Sequence, residues 1–238
     1  MIKINSLWIG EPLSTLERLC MASHLKNGHE YHLWSYEPLE VPDGVILEDG
    51  NEILPESEIF TYSGPKEEGG GSVSAFSNLF RYKLLSERDG WWCDTDVVCL
   101  KPFDFTMSHM IATETLPEDV VYATTCVLKI SREDASSLYR LARGKDLKNV
   151  RWGEIGPKLL MELWGNGGSL AKPTIFCPIH WWKIESLFVP FELPDESYAV
   201  HLWNEMWRRD GLDKDGVYRS DCLYENLKDK YLARPMML

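Results

Sequence analysis

The stretch Asp89–Phe103, DGWWCDTDVVCLKPF, decides how this chain is read. Cys93, Thr95, Val97, Val98, Cys99 and Leu100 suit a buried strand, yet Asp94 and Asp96 place two carboxylates inside the run. Desolvating an unpaired charge costs several kcal/mol, so something must offset the pair. On an extended backbone residues i and i+2 share a face, and the two carboxylates then converge on one object. The expected object is a hard divalent cation such as Mn²⁺ or Mg²⁺, which takes carboxylate oxygens and keeps positions open for a substrate diphosphate. A strand end with both carboxylates in water gives the same short pattern, so the surroundings have to discriminate.

Working outward, SAFSNLFRYKLLSERDG spaces Phe76, Leu79, Phe80, Tyr82 and Leu84 as a helix that ends at Gly90 and feeds the aspartate run. Upstream, KINSLWIG reads as a first strand, STLERLCMASHLKNG as a helix opened by a Ser14/Glu17 capping box, and HEYHLWSY as a second strand. A short apolar piece follows at Val45 to Leu47, and GPKEEGGGSVS reads as a mobile loop within one domain. Downstream come the strand YATTCVLKI, a helix from the cap Ser131 to the stop Gly144, and a helix start at Pro157. TIFCPIHWW reads as a strand, SYAVHLWNEMWRR as a strand running into a polar loop, and SDCLYENLKDKYL as a terminal helix capped by Ser220. Strands alternating with helices predict an α/β layer architecture with its site at the carboxyl ends of the strands.

The chain's 238 residues suit one domain that buries roughly 70 to 75% of its unfolded surface. With 25 Lys plus Arg against 37 Asp plus Glu, the net charge of -12 repels phosphate backbones, which argues against nucleic acid as a partner. Six cysteines without a CxxC pair read as reduced core thiols, and the expected compartment is cytoplasmic. No export signal or membrane span is expected, although the tail PMML and the pair Trp181–Trp182 offer peripheral contact with a lipid-linked acceptor. The motifs of dinucleotide, P-loop and serine-hydrolase sites are missing, DGLDKDGVYRSDC fails as a calcium loop, and Cys93 on a buried strand is expected to be inert.

The 27 residues SNLFRYKLLSERDGWWCDTDVVCLKPF closely resemble the signature of DxD-type sugar transferases, in the α-1,6-mannosyltransferase and α-1,4-galactosyltransferase group. There is a more distant similarity to the glucosyltransferase domain of large clostridial toxins. LWIG, EIGPKLL, IFCPIHWW and VHLWNEMW resemble further segments of that group in the same order, from Leu7 to about Arg208. The resemblance implies a single-domain GT-A fold, Rossmann-like, with a mixed central sheet flanked by helices. It also implies a nucleotide-binding part over about 1–105 and an acceptor-side part over about 106–238.

Carried over by residue, the resemblance implies that Trp8 stacks on the donor base and Arg81 reaches the donor phosphates. Asp96 becomes a direct metal ligand, Asp94 bridges metal or ribose, and His201 completes the metal shell. Asn78 stands where the group usually has Asp, which leaves the donor sugar less determined, and Trp92 replaces a common Tyr as an aromatic wall. Trp203, Asn204 and Trp207 would close over the diphosphate, and Thr124, Thr125, Glu154 and Gly156 would line the acceptor side. The implied activity is metal-dependent hexosyl transfer with retention, from a UDP-sugar in preference to GDP-mannose, to a hydroxyl of a glycan or glycolipid. A protein-glycosylating effector with the same core, or a catalytically silent module that binds a sugar-nucleotide or glycan, stand as the alternatives.

Overall fold

The computed structural model describes residues 1–10, 12–66, 69–165, 167 and 169–232. Its first strand, β1 (Ile2–Leu7), leads into helix α1 (Thr15–Lys26), where Ser14 and Glu17 form both bonds of the anticipated capping box. Strands β2 (His29–Ser35) and β3 (Val45–Asp49) follow, then helix α2 (Ser74–Glu87) and strand β4 (Trp91–Cys93). After β5 (Val97–Cys99), a hairpin of β6 (Met110–Leu116) and β7 (Val120–Lys129) precedes helices α3 (Arg132–Arg143) and α4 (Pro157–Trp164). The chain ends with the short helix α5 (Pro173–Phe176), β8 (Ala199–His201), α6 (Asn204–Asp210) and α7 (Leu223–Leu232).

The main sheet runs β3-β2-β1-β4-β7-β6, and β5 pairs with β8 in a second, two-stranded sheet. β1 is parallel to β2 and to β4, and β2 is parallel to β3, whereas β7 is antiparallel to both β4 and β6. One face carries α1, α7 and the small sheet over a core that includes Leu16, Tyr31, Phe103 and Trp207; the other carries α2, α3 and α4 around Phe76, Phe80 and Leu138. This is the mixed sheet flanked by helices that the resemblance implied. Strand order reverses between β1 and β4, and their carboxyl ends open a crevice there, the usual ligand position in such sheets.

Four local expectations are corrected. Asp94, Thr95 and Asp96 are not inside a strand: they form a turn that separates β4 from β5. Residues 174–182 are not a strand, because Pro173 starts a helical turn and Pro178, without an N–H, cannot sit in a ladder. The loop expected after His201 is helical: Glu205 pairs with Arg208 and Arg209 at i+3 and i+4, while Trp207 is fully buried. The last helix begins at Leu223, with Cys222 rather than Ser220 at its cap, since Cys222 Sγ accepts from the Glu225 N–H at 3.5 Å. The strand β6 had no counterpart in the sequence reading. Glu67 and Glu68 of the glycine-rich loop and the tail PMML lie outside the described residues. Among the described residues no helix is long and apolar enough to cross a membrane.

Candidate active site

The crevice at the ends of β1 and β4 is a cavity of about 1240 Å³. The register that sets Asn5 beside Trp92 brings the end of β1 alongside the aspartate turn, so Trp8 and Asp94 line the same cavity. Ser6 secures this alignment by donating its hydroxyl to the Cys93 carbonyl at 2.6 Å. The wall carries six cations, Arg81, Arg151, Lys158, Arg208, Arg209 and Lys214, against the four acids Asp94, Asp96, Glu114 and Glu205. A chain of net charge -12 thus keeps a locally cationic cleft, which favours an anionic ligand.

The cost of the two carboxylates is met separately for each. Asp94 Oδ1 accepts the Trp92 indole N–H at 2.7 Å and pairs with Arg81 at 3.0 Å. The guanidinium lies 4.5 Å from the Trp92 ring centroid, and it also donates to the Thr125 carbonyl and to Ser77. Burial nevertheless pushes the Asp94 carboxyl above its usual range, against the pull of Arg81. Asp96 Oδ2 accepts the Asn204 backbone N–H at 2.7 Å and the His201 Nε2–H at 3.1 Å. Burial works against the Asp96 charge, but the His201 charge and these bonds outweigh it and hold the carboxyl low, while Asp96 holds His201 well above the ordinary imidazole value despite burial.

The turn, rather than an extended face, is what converges the two carboxylates. Donor atoms of Asp94, Asp96 and His201 lie within 4.8 Å of one another. The set fits a hard divalent ion: two carboxylates with one imidazole, in which Asp94 is short of positive charge and both of its protein contacts fall on a single oxygen. β8 places His201 opposite Val97, and Trp203 then adopts φ 60°, a left-handed conformation uncommon for a bulky residue. That turn aims the Asn204 N–H at Asp96, and the Trp203 indole is fixed by donating to the Ile179 carbonyl at 2.9 Å. Such strain, held by surrounding structure, is found at functional sites.

Of the other residues singled out, Trp8, Asn78, Thr124, Thr125, Trp203 and Asn204 line the cavity, whereas Trp207 is fully buried behind it, its indole N–H donating to the Leu202 carbonyl at 2.7 Å. Asn78 is 4% exposed and its Oδ1 has no hydrogen-bond partner. Trp92 is not a wall of the cavity: it is 1% exposed and lies beneath Asp94. Glu154 and Gly156 are also not among its lining residues. The Glu154 carboxylate accepts from the Arg151 N–H at 3.0 Å, and Gly156 leaves room for the Asn78 amide. Trp181 lines the cavity while partly buried against the core, and Cys93 is fully buried with its thiol pushed well up by burial, as expected of an inert cysteine.

Two features escaped the sequence reading. Glu114, on the unanticipated strand β6, lines the cavity, and burial pushes its carboxyl up to about 7. Glu17 is fully buried: its Oε1 accepts from Lys214 at 2.7 Å and from the Asn204 amide at 3.2 Å, so the α1 cap is tied to the segment that holds Asp96. The capping-box spacing marked Glu17 as a cap, but nothing local in sequence pointed to Lys214.

Residues 148–232 match the family described as the alpha 1,4-glycosyltransferase conserved region. No curated protein matches the chain. Among solved structures, the glycosyltransferase GlyE of Streptococcus pneumoniae TIGR4 is similar with a TM-score of 0.54 and 14% identity, covering 98% of this chain and 62% of that one. The apo form of GlyE gives 0.43 and 15% over 73% and 45%, and the PaToxG glycosyltransferase 0.46 and 14% over 68% and 69%. The chain thus spans less than two thirds of the GlyE chain. At such identity the GlyE likeness establishes the fold alone, and residues 148–232 carry the similarity to alpha 1,4-glycosyltransferases. The matched region is that of alpha 1,4-glycosyltransferases; it contains His201, Trp203 and Asn204, whereas Asp94 and Asp96 lie outside it.

Proposed function

We propose that the chain transfers a hexose, with retention, from a nucleotide-sugar to a hydroxyl of a glycan or glycolipid. Asp94, Asp96 and His201 would hold a divalent ion, Mn²⁺ or Mg²⁺. The observation that carries this reading is the convergence of those three donors at the β1/β4 crevice within a cationic cavity. A divalent ion held there supplies positive charge to the departing nucleoside diphosphate.

The chain's own residues divide the remaining work. Trp8 offers a stacking face for the base, for which a pyrimidine and hence a UDP-sugar is preferred over GDP-mannose, and Lys214, 5.5 Å above that ring, faces the phosphates. Arg81 acts mainly by fixing Asp94, given its contacts with Asp94, Thr125 and Ser77. The unpartnered Asn78 Oδ1 accepts a hydroxyl of the donor. Thr124 and Thr125 sit on the acceptor side, and Trp203 with Asn204 covers the diphosphate. In this division residues 1–105 carry most of the donor site and residues 106–238 the acceptor side. Six unpaired, buried thiols fit a reducing, cytoplasmic setting such as polysaccharide biosynthesis, with Trp181 and Trp182 available for peripheral contact with a membrane-borne acceptor.

A thermal-shift panel of UDP, GDP and their sugars, with and without Mn²⁺, tests the reading on wild type and Asp96→Ala. A rise in melting temperature for one nucleotide that requires Mn²⁺ and vanishes in the variant is expected. No shift with any nucleotide would sink the donor-site reading, and an inverted anomeric configuration in the first product would sink retention.

A further inference from the structure

On the side of His201 away from Asp96, two cysteines from distant elements meet. Cys126 lies on β7 and Cys177 directly follows α5, and both are buried. Their sulfurs are 3.6 Å apart, and Cys177 Sγ is 3.9 Å from His201 Nδ1. The three donor atoms all lie within 4.8 Å of one another. We propose that Cys126, Cys177 and His201 form a second metal site, specific for a thiophilic ion of the Zn²⁺ class.

The spacing favours a metal over a disulfide. Ligands of one tetrahedral Zn²⁺, at about 2.3 Å for sulfur and about 2.05 Å for nitrogen, sit about 3.8 Å (S to S) and about 3.6 Å (S to N) apart. The separations found, 3.6 and 3.9 Å, differ from these by a few tenths of an ångström. A disulfide would need the sulfurs at about 2.05 Å, roughly 1.5 Å closer. His201 is also oriented as zinc-bound imidazoles usually are, with its far nitrogen donating to a carboxylate, here Asp96 at 3.1 Å. The other buried cluster with a thiol, His24, His29 and Cys99, lacks this readiness: His29 Nε2 accepts the Phe103 N–H and Cys99 Sγ donates to the Lys101 carbonyl.

Resting on the transferase reading above, the second site has a regulatory consequence. A neutral imidazole has a single lone pair, so His201 serves either the soft ion through Nδ1 or the hard ion through Nε2. A thiophilic ion on Cys126 and Cys177 therefore removes His201 from the Asp94–Asp96 shell and inhibits transfer.

Zn²⁺ K-edge X-ray absorption on the wild-type 238-residue chain with one equivalent of Zn²⁺ tests the site without a variant. A shell with two sulfurs at about 2.3 Å is expected, and a shell of oxygen and nitrogen alone overturns the proposal. Co²⁺ titration adds a second readout: a thiolate-to-cobalt charge-transfer band that survives Asp94→Ala and disappears in Cys177→Ser is expected, and a band unchanged in Cys177→Ser overturns it. Mn²⁺ binding followed by electron paramagnetic resonance separates the two ideas. Zn²⁺ loading should weaken Mn²⁺ binding at least tenfold; a sulfur shell formed with Mn²⁺ affinity unchanged, or with no Mn²⁺ binding at all, leaves the soft site standing and overturns the role given to His201 in catalysis.

Discussion

Trp92 donates its indole N–H to Asp94 Oδ1 at 2.7 Å from a fully covered position, while its ring carries the Arg81 guanidinium that pairs with the same oxygen. One side chain therefore sets both partners of the aspartate. Replacing it with Ala would leave a large cavity, at about 3–5 kcal/mol, and confuse position with folding.

Trp92→Phe keeps one aromatic ring and removes the indole N–H, leaving a smaller cavity than Ala would. The expected outcome is a 10- to 100-fold loss of Mn²⁺ affinity, the usual effect of removing a partner behind a metal ligand, the role proposed for Asp94. Isothermal titration with Mn²⁺ checks it, with circular dichroism as a control for folding. Unchanged affinity would mean that Arg81 alone positions Asp94.

Glu114 yields a pH prediction in the metal-free protein. Its carboxyl keeps a proton up to about pH 7 when folded, whereas the unfolded group loses it near 4.5, because burial disfavours the charge more than the charge of His201 favours it. The unfolded state thus ionises first, and wild-type stability declines as pH rises from about 4.5 to about 7, then levels off. With partial exposure taken into account, the loss is about 1 to 2 kcal/mol. Glu114→Gln lacks this slope, so the difference in urea midpoint between the two proteins should move in favour of the variant between pH 4.5 and pH 8. Parallel curves would refute the burial account.

Much of this was legible in the sequence. The Ser14/Glu17 box, the Ser131 cap and the spacing of Phe76, Leu79 and Phe80 are local signals, and those helices form as read. The pairing of Asp94 with Asp96 was equally visible, but its backbone was not, since Asn204 and His201 hold the turn from more than 100 residues away. The same non-locality hid Cys126 and Cys177, whose meeting depends on how β7 and α5 pack, and Lys214, whose partner Glu17 is 197 positions distant. The role of Trp92 was misread because a strand next to a site can aim a residue into the cavity or beneath it, and only packing distinguishes the two.

Gly156 bears on Asn78. A Cβ at position 156 would stand 2.6 Å from Asn78 Nδ2, and Asn78, 4% exposed, has little space to retreat. Gly156→Ala should therefore turn the Asn78 amide away from the cavity and raise the donor KM several-fold with a smaller change in kcat, at a stability cost of about 1–3 kcal/mol. The diagnostic is non-additivity: in an Asn78→Ala background the same substitution should leave KM almost unchanged. Equal effects in both backgrounds would mean that Gly156 acts on the fold and not through Asn78.

Glu17 joins stability to the site. Its Oε2 accepts the Ser14 N–H at 2.9 Å, its Oε1 accepts from Lys214 and Asn204, and the residue is fully buried. Glu17→Ala removes the carboxylate that closes the α1 cap and pairs with Lys214, while Lys214 keeps partial exposure and its place over Trp8, and the expected cost is about 1–3 kcal/mol. Glu17→Gln is the gentler probe, because an amide has one acceptor oxygen and must surrender either the cap or the Lys214–Asn204 side. If the latter is lost, Asn204 relaxes, its N–H leaves Asp96, and Mn²⁺ affinity falls several-fold although Glu17 touches no proposed ligand. Urea unfolding and Mn²⁺ titration on the same samples separate the outcomes: lower stability with full Mn²⁺ affinity would show that the α1 cap supports the fold alone, whereas a joint loss places α1 in control of the aspartate turn.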